Sequence, residues 1–177
     1  HQGKQKFLLY GVTGSGKTQI YIEMALKARA LGKQILILVP EIVLTGQLVT
    51  SFKEYFADDV AVIHSRLSIG ERNDTFWRIR TKQVSIIIGA RSALFAPFED
   101  LGLIVMDEEH DPSYKQDESP RYHSHDIIEK MAEIYHATLI MGSATPSLES
   151  YYKAQIGEYV LLKMPNRIDN LPLPYIE

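Results

Sequence analysis

Four consecutive residues, Asp107, Glu108, Glu109 and His110, place three carboxylates and an imidazole side by side. They directly follow an apolar run at 103–106 without a polar break, which is typical of a central parallel strand buried on both faces. Carboxylates at the carboxyl end of such a strand lie where open α/β sheets bind ligands, and could hold a metal ion or move a proton. Acidic clusters are also common in solvated loops, so this cluster alone leaves the choice open.

A glycine-rich stretch near the amino terminus favours the chemical interpretation. Residues 11–18 read GVTGSGKT, a full match to the eight-position phosphate-binding loop. The glycines let the backbone curl so that its N–H groups face phosphates, and the following helix adds its positive dipole end. The residues expected to bind the nucleotide are those of this loop: Gly11, Thr13, Gly14, Ser15, Gly16, Lys17 and Thr18.

Loop and acidic cluster together predict binding and hydrolysis of a nucleoside triphosphate with Mg²⁺. Lys17 is expected to reach the β- and γ-phosphates, while Thr18 and Asp107 hold Mg²⁺. Glu108 is expected to orient and deprotonate the attacking water. His110 could sense the γ-phosphate or be an ordinary loop histidine, and Glu109 has no role that follows from its chemistry alone.

Composition places the chain among ordinary globular domains. Its 177 residues suffice for one domain with a real core, and no apolar run approaches the roughly 20 residues that span a bilayer. No cysteine is present, which excludes disulfides and thiolate metal sites and fits a reducing cytoplasm. The net charge of −3 hides an asymmetry, because 64–91 carries six basic against two acidic residues, whereas 99–118 carries eight acidic residues and one lysine. The first region could meet a polymer's phosphates.

Short apolar runs alternate with helical patterns along the chain. They predict strands at 7–10, 35–39, 60–63, 84–88, 103–106, 138–141 and 159–163, the last at an edge. Helices are predicted at 17–31, 44–56, 68–80, 124–135 and 145–155. Gly32 should end the first, Ser68 and Glu71 have capping-box spacing, and Thr145-Pro146 suit a cap and first-turn proline. Alternation without hairpin signals predicts an α/β fold with a mostly parallel sheet and crossover helices on both faces.

The motifs and their order resemble those of superfamily 2 helicases of the DExH type and, more narrowly, the primosomal protein N′ (PriA) family of replication-restart DNA helicases. The matching stretches span nearly the whole chain. Besides 11–18 and 107–111, they are 38–42 with Leu44, Thr45 and Gln47, then His64-Ser65, 91–95, 113–116, 121–123 and 142–149. The resemblance implies a RecA-like P-loop NTPase domain, the first lobe of a bacterial, cytoplasmic 3′→5′ helicase that uses ATP and Mg²⁺.

The resemblance also implies roles toward single-stranded DNA. Pro40-Glu41 and Arg91-Ser92 would hold DNA phosphates; without the family order of motifs, Pro40 would be read as a strand end and Arg91 as a surface charge. The segment 113–123 would be an aromatic-rich loop that couples DNA to ATP hydrolysis, with Tyr114 and Tyr122 stacking on bases. Its coupling residues would include Lys115, Gln116 and Arg121, and Ser143 and Thr145 would form a further relay or simply cap a helix.

Some positions depart from the family pattern. Ala90 stands where threonine is usual, Gly46 where proline is common, Gln19 where an acid is usual, and Ser124-His125 replaces a usual Ala-Arg. No role of that arginine can therefore be carried over. The spacing of His64, His123 and His125 fits no standard metal-ligand set, so loop and DNA-side roles are preferred for them.

Residues 1–163 are interpreted as helicase lobe 1, and 164–177 as a linker toward a second lobe that supplies an arginine finger. Alone, the lobe is expected to bind nucleotide weakly and turn over little. The family's zinc is expected outside this chain. The implied partners are forked and single-stranded DNA, primosome proteins and single-stranded-DNA-binding proteins. A membrane is not among them. Two alternatives are another DExH translocase, RecQ-like or RecG-like, and a nucleotide-dependent scaffold without motor activity.

Overall fold

The computed structural model describes residues 6–44 and 46–167, and most of the predicted linker therefore lies outside the described residues. Nine strands are present in this part of the chain: β1 Lys6–Gly11, β2 Gln34–Leu38, β3 Val60–Ile63, β4 Ile86–Gly89, β5 Leu101–Met106, β6 Lys115–Gln116, β7 Tyr122–His123, β8 Thr138–Ser143 and β9 Val160–Met164. The five helices of the same part are α1 Lys17–Ala30, α2 Gln47–Phe56, α3 Ile69–Arg80, α4 Ser124–Tyr135 and α5 Leu148–Gln155.

Seven of these strands form one sheet in the order β3-β4-β2-β5-β8-β1-β9, and all neighbours are parallel. The predicted mostly parallel sheet is confirmed, and β9 is the edge strand that its position in the sequence pattern suggested. β2 and β4 are buried along their whole length, as expected of strands covered on both faces. The carboxyl ends of parallel strands meet at one edge, so the segments that follow β1, β2, β4, β5 and β8 converge there.

Helices cover both faces of the sheet, as predicted. Ile35 and Ile37 of β2 pack in a core with α1 and α2, represented by Ile22 and Phe52. The alternate residues of β2 face a second core that includes Ile79 of α3 and Ile128 of α4. Successive side chains of a strand point to opposite faces, so an unbroken apolar strand serves both cores.

Two helix ends follow the predicted signals. Gly32 has φ of 71° and ends α1, with the Lys33 N–H donating to the Ala28 carbonyl at 3.1 Å. Ser68 caps α3 through a complete capping box with Glu71. No helix in the described part of the chain is long and apolar enough to cross a bilayer.

Three local predictions were wrong. α2 begins at Gln47 rather than at 44, because a single 3₁₀ turn, Glu41–Val43, precedes it; Thr45 lies outside the described residues. α5 begins at Leu148 rather than at 145, because Ser147 is its N-cap and accepts a hydrogen bond from the Ser150 N–H. Segment 113–123, predicted as an aromatic-rich loop without strands, contains the two-stranded antiparallel hairpin β6–β7.

Candidate nucleotide-binding and catalytic site

The glycine-rich loop has the shape that a phosphate group needs. Gly14 and Gly16 have φ of 80° and 90°, conformations that disfavour any side chain, and Gly16 leads directly into α1. The Lys17 ammonium donates to the carbonyls of Gly11 at 2.6 Å and Val12 at 3.3 Å. Ser15 Oγ is buried and has no hydrogen-bond partner within the described residues. The loop therefore offers a cation, a helix N-terminus and a spare polar atom, which fit a polyphosphate.

The four residues of the acidic cluster diverge after β5. Asp107, Glu108, Glu109 and His110 form a turn, in which Glu108 has φ of 47°, unusual for a residue with a side chain. Asp107 and Glu109 are buried, whereas the Glu108 side chain is 35% exposed. One turn therefore directs two carboxylates inward for fixed contacts and leaves a third accessible to solvent.

Asp107 is held by two buried tyrosines from different parts of the chain. The Tyr21 hydroxyl of α1 donates to Asp107 Oδ1 at 2.9 Å, and the Tyr114 hydroxyl donates to the Asp107 carbonyl oxygen at 2.6 Å. Burial raises the pKa of Asp107 above its usual range, partly offset by the Tyr21 hydrogen bond and the charge of Lys17. A divalent cation there would compete with a proton for this carboxylate, so its binding should weaken as the pH falls.

The tyrosine at position 114 does not stack on bases, contrary to the sequence-based prediction. Tyr114 is 1% exposed, and its carbonyl oxygen accepts a hydrogen bond from the buried Ser124 hydroxyl at 2.7 Å. Its place in the sequence beside basic residues suggested an exposed platform, but its ring belongs to the core next to α4. Its hydroxyl still joins the loop to the acidic cluster, so the burial leaves its predicted coupling role intact.

Arg91 holds the loop that contains Tyr114. Its guanidinium donates to the carbonyls of Ser113 at 3.2 Å and Lys115 at 2.5 Å, and lies 5.8 Å from the centre of the Tyr122 ring. Tyr122 also makes an edge contact with Phe95, the two ring centres being 5.6 Å apart. Phe95 is 59% exposed and was not among the predicted site residues, although it stands in the same motif as Arg91. The half-buried Tyr122 and the exposed Phe95 together form an aromatic surface beside a basic group.

The remaining predicted residues of the loop are on its surface. Lys115 and Arg121 are exposed and Gln116 is half-buried, in the hairpin β6–β7 or next to it. Ser92 is half-buried in the 3₁₀ turn that contains Arg91. Their positions allow contact with a polymer, and their predicted roles remain predictions.

A second groove lies where β2 and β3 end. Pro40 is buried, and the exposed Glu41 accepts hydrogen bonds from the Ser65 backbone N–H at 3.3 Å and from the Ser65 hydroxyl. The Ser65 hydroxyl lowers the pKa of Glu41 below its usual range. Glu41, His64, Ser65 and Arg66 line this groove together with side chains of α2 and β3. The fold thus brings together two stretches, 38–42 and 64–65, that are distant in the sequence.

His110 connects the acidic cluster to the end of β8. Its Nδ1 lies 2.7 Å from Ser143 Oγ and 3.7 Å from a Glu108 carboxylate oxygen. The Thr145 N–H donates to the same serine oxygen at 2.9 Å. The predicted relay residues Ser143 and Thr145 are therefore linked to His110, and Thr145 is not the cap of α5.

Glu109, to which its residue type assigned no role, joins the acidic turn to the segment before α5 and to α4. Its buried carboxylate accepts hydrogen bonds from the Ser147 N–H at 2.7 Å, the Ser147 hydroxyl at 3.0 Å and the Ser150 hydroxyl at 2.8 Å. His125 Nε2 lies 2.9 Å from it. Burial alone would raise the pKa of Glu109, but these hydrogen bonds together hold it below its usual range. The spacing of Ser147 and Ser150 marks the start of α5 in the sequence. A carboxylate is stabilised next to a helix N-terminus, so this start was the available signal for the place of Glu109.

The histidines at 123 and 125 extend this network. Their Nδ1 atoms are 3.0 Å apart, and the His125 N–H donates to His123 Nδ1 at 3.4 Å. Burial lowers the pKa of His123, and the neighbouring His125 adds to this. Within residues 6–44 and 46–167, no three His, Cys, Asp or Glu side chains are grouped so that they could hold a metal ion. A Mg²⁺ ion held by one carboxylate, a hydroxyl and substrate phosphates needs no such group.

Replacing Glu109 with glutamine should lower the free energy of unfolding at pH 7 by about 1–3 kcal/mol, because an amide cannot accept all four contacts. Since the folded-state pKa is below the usual 4.5, the contribution of the carboxylate is complete above that pH. It is lost as the pH falls through the lowered value. Urea unfolding from pH 7 downward measures both effects.

The matched control for this measurement is Glu118→Gln, at an exposed loop position. It should differ from the starting protein by less than about 0.5 kcal/mol at every pH. If the stability lost in Glu109→Gln grew on acidification, that result would contradict the assignment of a charged, hydrogen-bonded carboxylate.

Comparison with known proteins identifies the family. The family model for DEAD/DEAH box helicases matches residues 1–154. The chain belongs to the DEAD/DEAH box helicase family. Among solved structures, RecG bound to a three-way DNA junction gives a TM-score of 0.64 with 23% identity, over 90% of this chain and 20% of that one. The DUF1998 helicase MrfA bound to DNA gives a TM-score of 0.62 with 19% identity, over 92% of this chain and 25% of that one. The RecA-like fold is thereby confirmed.

The resemblance to the PriA family is also confirmed. The chain is 52% identical to the replication restart protein PriA of Bacillus subtilis, over 96% of this chain and 21% of that protein. It is 44% identical to PriA of Synechocystis, over 99% of this chain and 22% of that protein. The chain thus spans about a fifth of the length of these relatives.

Proposed function

We propose that this chain is the ATP-binding first lobe of a replication-restart DNA helicase, which moves 3′→5′ along single-stranded DNA with a second lobe. The observation that carries the proposal is the double anchoring of Asp107. Tyr21, on the helix that follows the phosphate loop, donates to the Asp107 side chain. Tyr114, in the loop that Arg91 contacts, donates to the Asp107 carbonyl oxygen. A change in the bound nucleotide, through Tyr21, or in the bound DNA, through Tyr114, would therefore alter the position of Asp107.

The geometry of the site supports the following roles in hydrolysis. Lys17 would exchange its loop carbonyls for phosphate oxygens, and the N–H groups of the loop would hold the rest of the triphosphate. Thr18 and Asp107 would hold Mg²⁺, which supplies charge neutralisation of the phosphates when bound. Glu108, the accessible carboxylate, would take the proton of the attacking water. His110 and Ser143 would transmit the state of this turn to the segment before α5.

DNA would contact the edge of the sheet where the strands end. The aromatic surface of Tyr122 and Phe95 suits base stacking, and Lys115 and Arg121 suit the backbone phosphates. The groove at Glu41 and Ser65 would bind a further part of the DNA strand. Primosome and single-stranded-DNA-binding proteins would be partners, and the bacterial cytoplasm the location. RecG shares the fold at 23% identity, well below the 52% found for PriA, so a RecG-like role is disfavoured.

The decisive experiment measures ATP hydrolysis with and without single-stranded DNA. This chain alone should be nearly silent, because an arginine finger from a second lobe contributes about 10³–10⁵ in rate in well-studied NTPases. The same chain within a protein that continues through a second lobe should be strongly stimulated by DNA. Its Lys17→Ala form should be silent, whereas Lys27→Ala, at an exposed position near the far end of α1, should not. Absence of DNA stimulation in the two-lobed protein would overturn the motor proposal.

A further inference from the structure

The segment that follows β9 lies along the phosphate loop. Gly11 pairs with Met164 across the β1–β9 ladder, and a Cβ atom on Gly11 would lie only 3.0 Å from the Met164 Cβ. Three residues later, a Cβ atom on Gly14 would lie 3.9 Å and 4.0 Å from the Cγ and Cδ atoms of Arg167. The edge strand therefore delivers an arginine side chain to the tip of the loop.

That arginine carries a buried donor without a partner. Arg167 Nε and Ser15 Oγ are the two buried side-chain polar atoms that lack a hydrogen-bond partner in the described part of the chain, and both lie beside this loop. A buried donor left unpaired costs about 1–3 kcal/mol, more for a charged group. A guanidinium only donates and is always charged, so the group that satisfies it must offer oxygen atoms, preferably anionic ones.

We propose that Arg167 donates to a phosphate oxygen of the nucleotide bound in the loop 11–18. The inference rests on the proposed nucleotide site and adds a ligand-binding residue to it. The aliphatic part of the side chain against Gly14 sets the guanidinium next to a loop whose N–H groups and Lys17 already favour anions. Arginine and phosphate form charge-assisted hydrogen bonds, about twice as strong as neutral ones.

The contact between Arg167 and the phosphate would link the nucleotide directly to residues 165–167, which follow β9. Arg167 belongs neither to the loop nor to the acidic cluster, and it is three residues past the end of β9. Bound nucleotide would fix this segment against Gly14, and its release would remove the hydrogen bond between the guanidinium and the phosphate. The position of residues 165–167 would thus depend on nucleotide occupancy.

Titration calorimetry of the chain 1–177 with ADP and with inorganic triphosphate, both with Mg²⁺, tests the inference. Arg167→Ala should weaken both ligands about tenfold, and Arg167→Lys should fall between, because an ammonium lacks the planar fork. Arg80→Ala, an exposed arginine at the end of α3, is the matched control and should bind like the starting chain. Thermal unfolding without ligand identifies any variant that fails to fold, in which case the lysine variant decides.

The outcomes separate this inference from the proposed function. Unchanged binding by both Arg167 variants, together with loss in Lys17→Ala, would overturn the inference and leave the nucleotide site standing. Weakened ADP binding with unchanged triphosphate binding would place Arg167 at the base or ribose, and would overturn the phosphate assignment. No binding by the starting chain, or binding undiminished in Lys17→Ala, would overturn the proposed function and this inference with it.

Discussion

Glu108→Gln should lower kcat for DNA-stimulated ATP hydrolysis by about 10²–10⁴, with nucleotide affinity close to that of the starting protein. Glutamine keeps the size of the side chain but cannot take a proton from water. The other anchors of the site, Lys17 and Asp107, would remain in place. Steady-state hydrolysis in a two-lobed protein and calorimetric nucleotide binding measure the two quantities separately.

The control for Glu108→Gln is Glu149→Gln, an exposed acid in the first turn of α5. It removes the same charge and should leave kcat within about twofold, since exposed surface charges contribute little. A Glu108→Gln protein that retained full kcat would remove this residue from the role of base. Equal loss of kcat and affinity would indicate instead that Glu108 helps to hold the nucleotide.

Gly142→Ala should destabilise the domain by about 3 kcal/mol or more, because overpacking of a tight core cannot relax locally. The new Cβ atom would lie 1.7 Å from the Tyr21 hydroxyl oxygen and 3.0 Å from Tyr21 Cζ. Since that hydroxyl also donates to Asp107, the clash would disturb the acidic cluster as well as the core. Urea unfolding gives the loss of stability, and nucleotide titration gives the effect on the site.

Two further variants isolate the cause. Tyr21→Phe in the Gly142→Ala background removes the clashing oxygen and should restore part of the stability, although the phenyl ring can no longer donate to Asp107. Gly70→Ala, on α3 where an added Cβ atom meets nothing within 4 Å, should stabilise by about 0.5–1 kcal/mol through helix propensity. Failure of Tyr21→Phe to restore any stability would show that the hydroxyl is not the source of the strain.

The fold could be predicted because each strand of the seven-stranded sheet carries its own signal. Apolar runs such as 35–39 and 103–106 are long enough to mark strands buried on both faces. Gly32 marks a helix end because glycine readily adopts the left-handed conformation that ends a helix. The strand order could not be predicted, since parallel crossovers leave the neighbours of a strand unspecified. The hairpin β6–β7 also gave no signal, because two residues per strand are too few for a period to be seen.

Within the site, the location of the motif residues in the fold could be predicted, whereas their chemical roles remain predictions. The loop 11–18 follows β1 and the residues Asp107 and Glu108 follow β5, so they lie at the same edge of the parallel sheet. Tyr114 shows the limit: whether an aromatic ring in a polar segment points to solvent or to the core depends on other residues such as Ser124. The same holds for Glu109, whose partners come from α4 and α5, and for Arg167, whose neighbour Gly14 is far away in the sequence.

The position of β1 has a consequence for how the chain acquires its structure during synthesis. Its partners in the sheet are β8 and β9, so that Leu8 lies beside Met141 and Leu161. The first of the seven sheet strands to leave the ribosome must therefore wait for the last two before it can be paired, and such distant contacts form slowly. The β1-to-α1 turn, although its two elements are adjacent in the sequence, can reach its final shape only when nearly the whole domain has been translated.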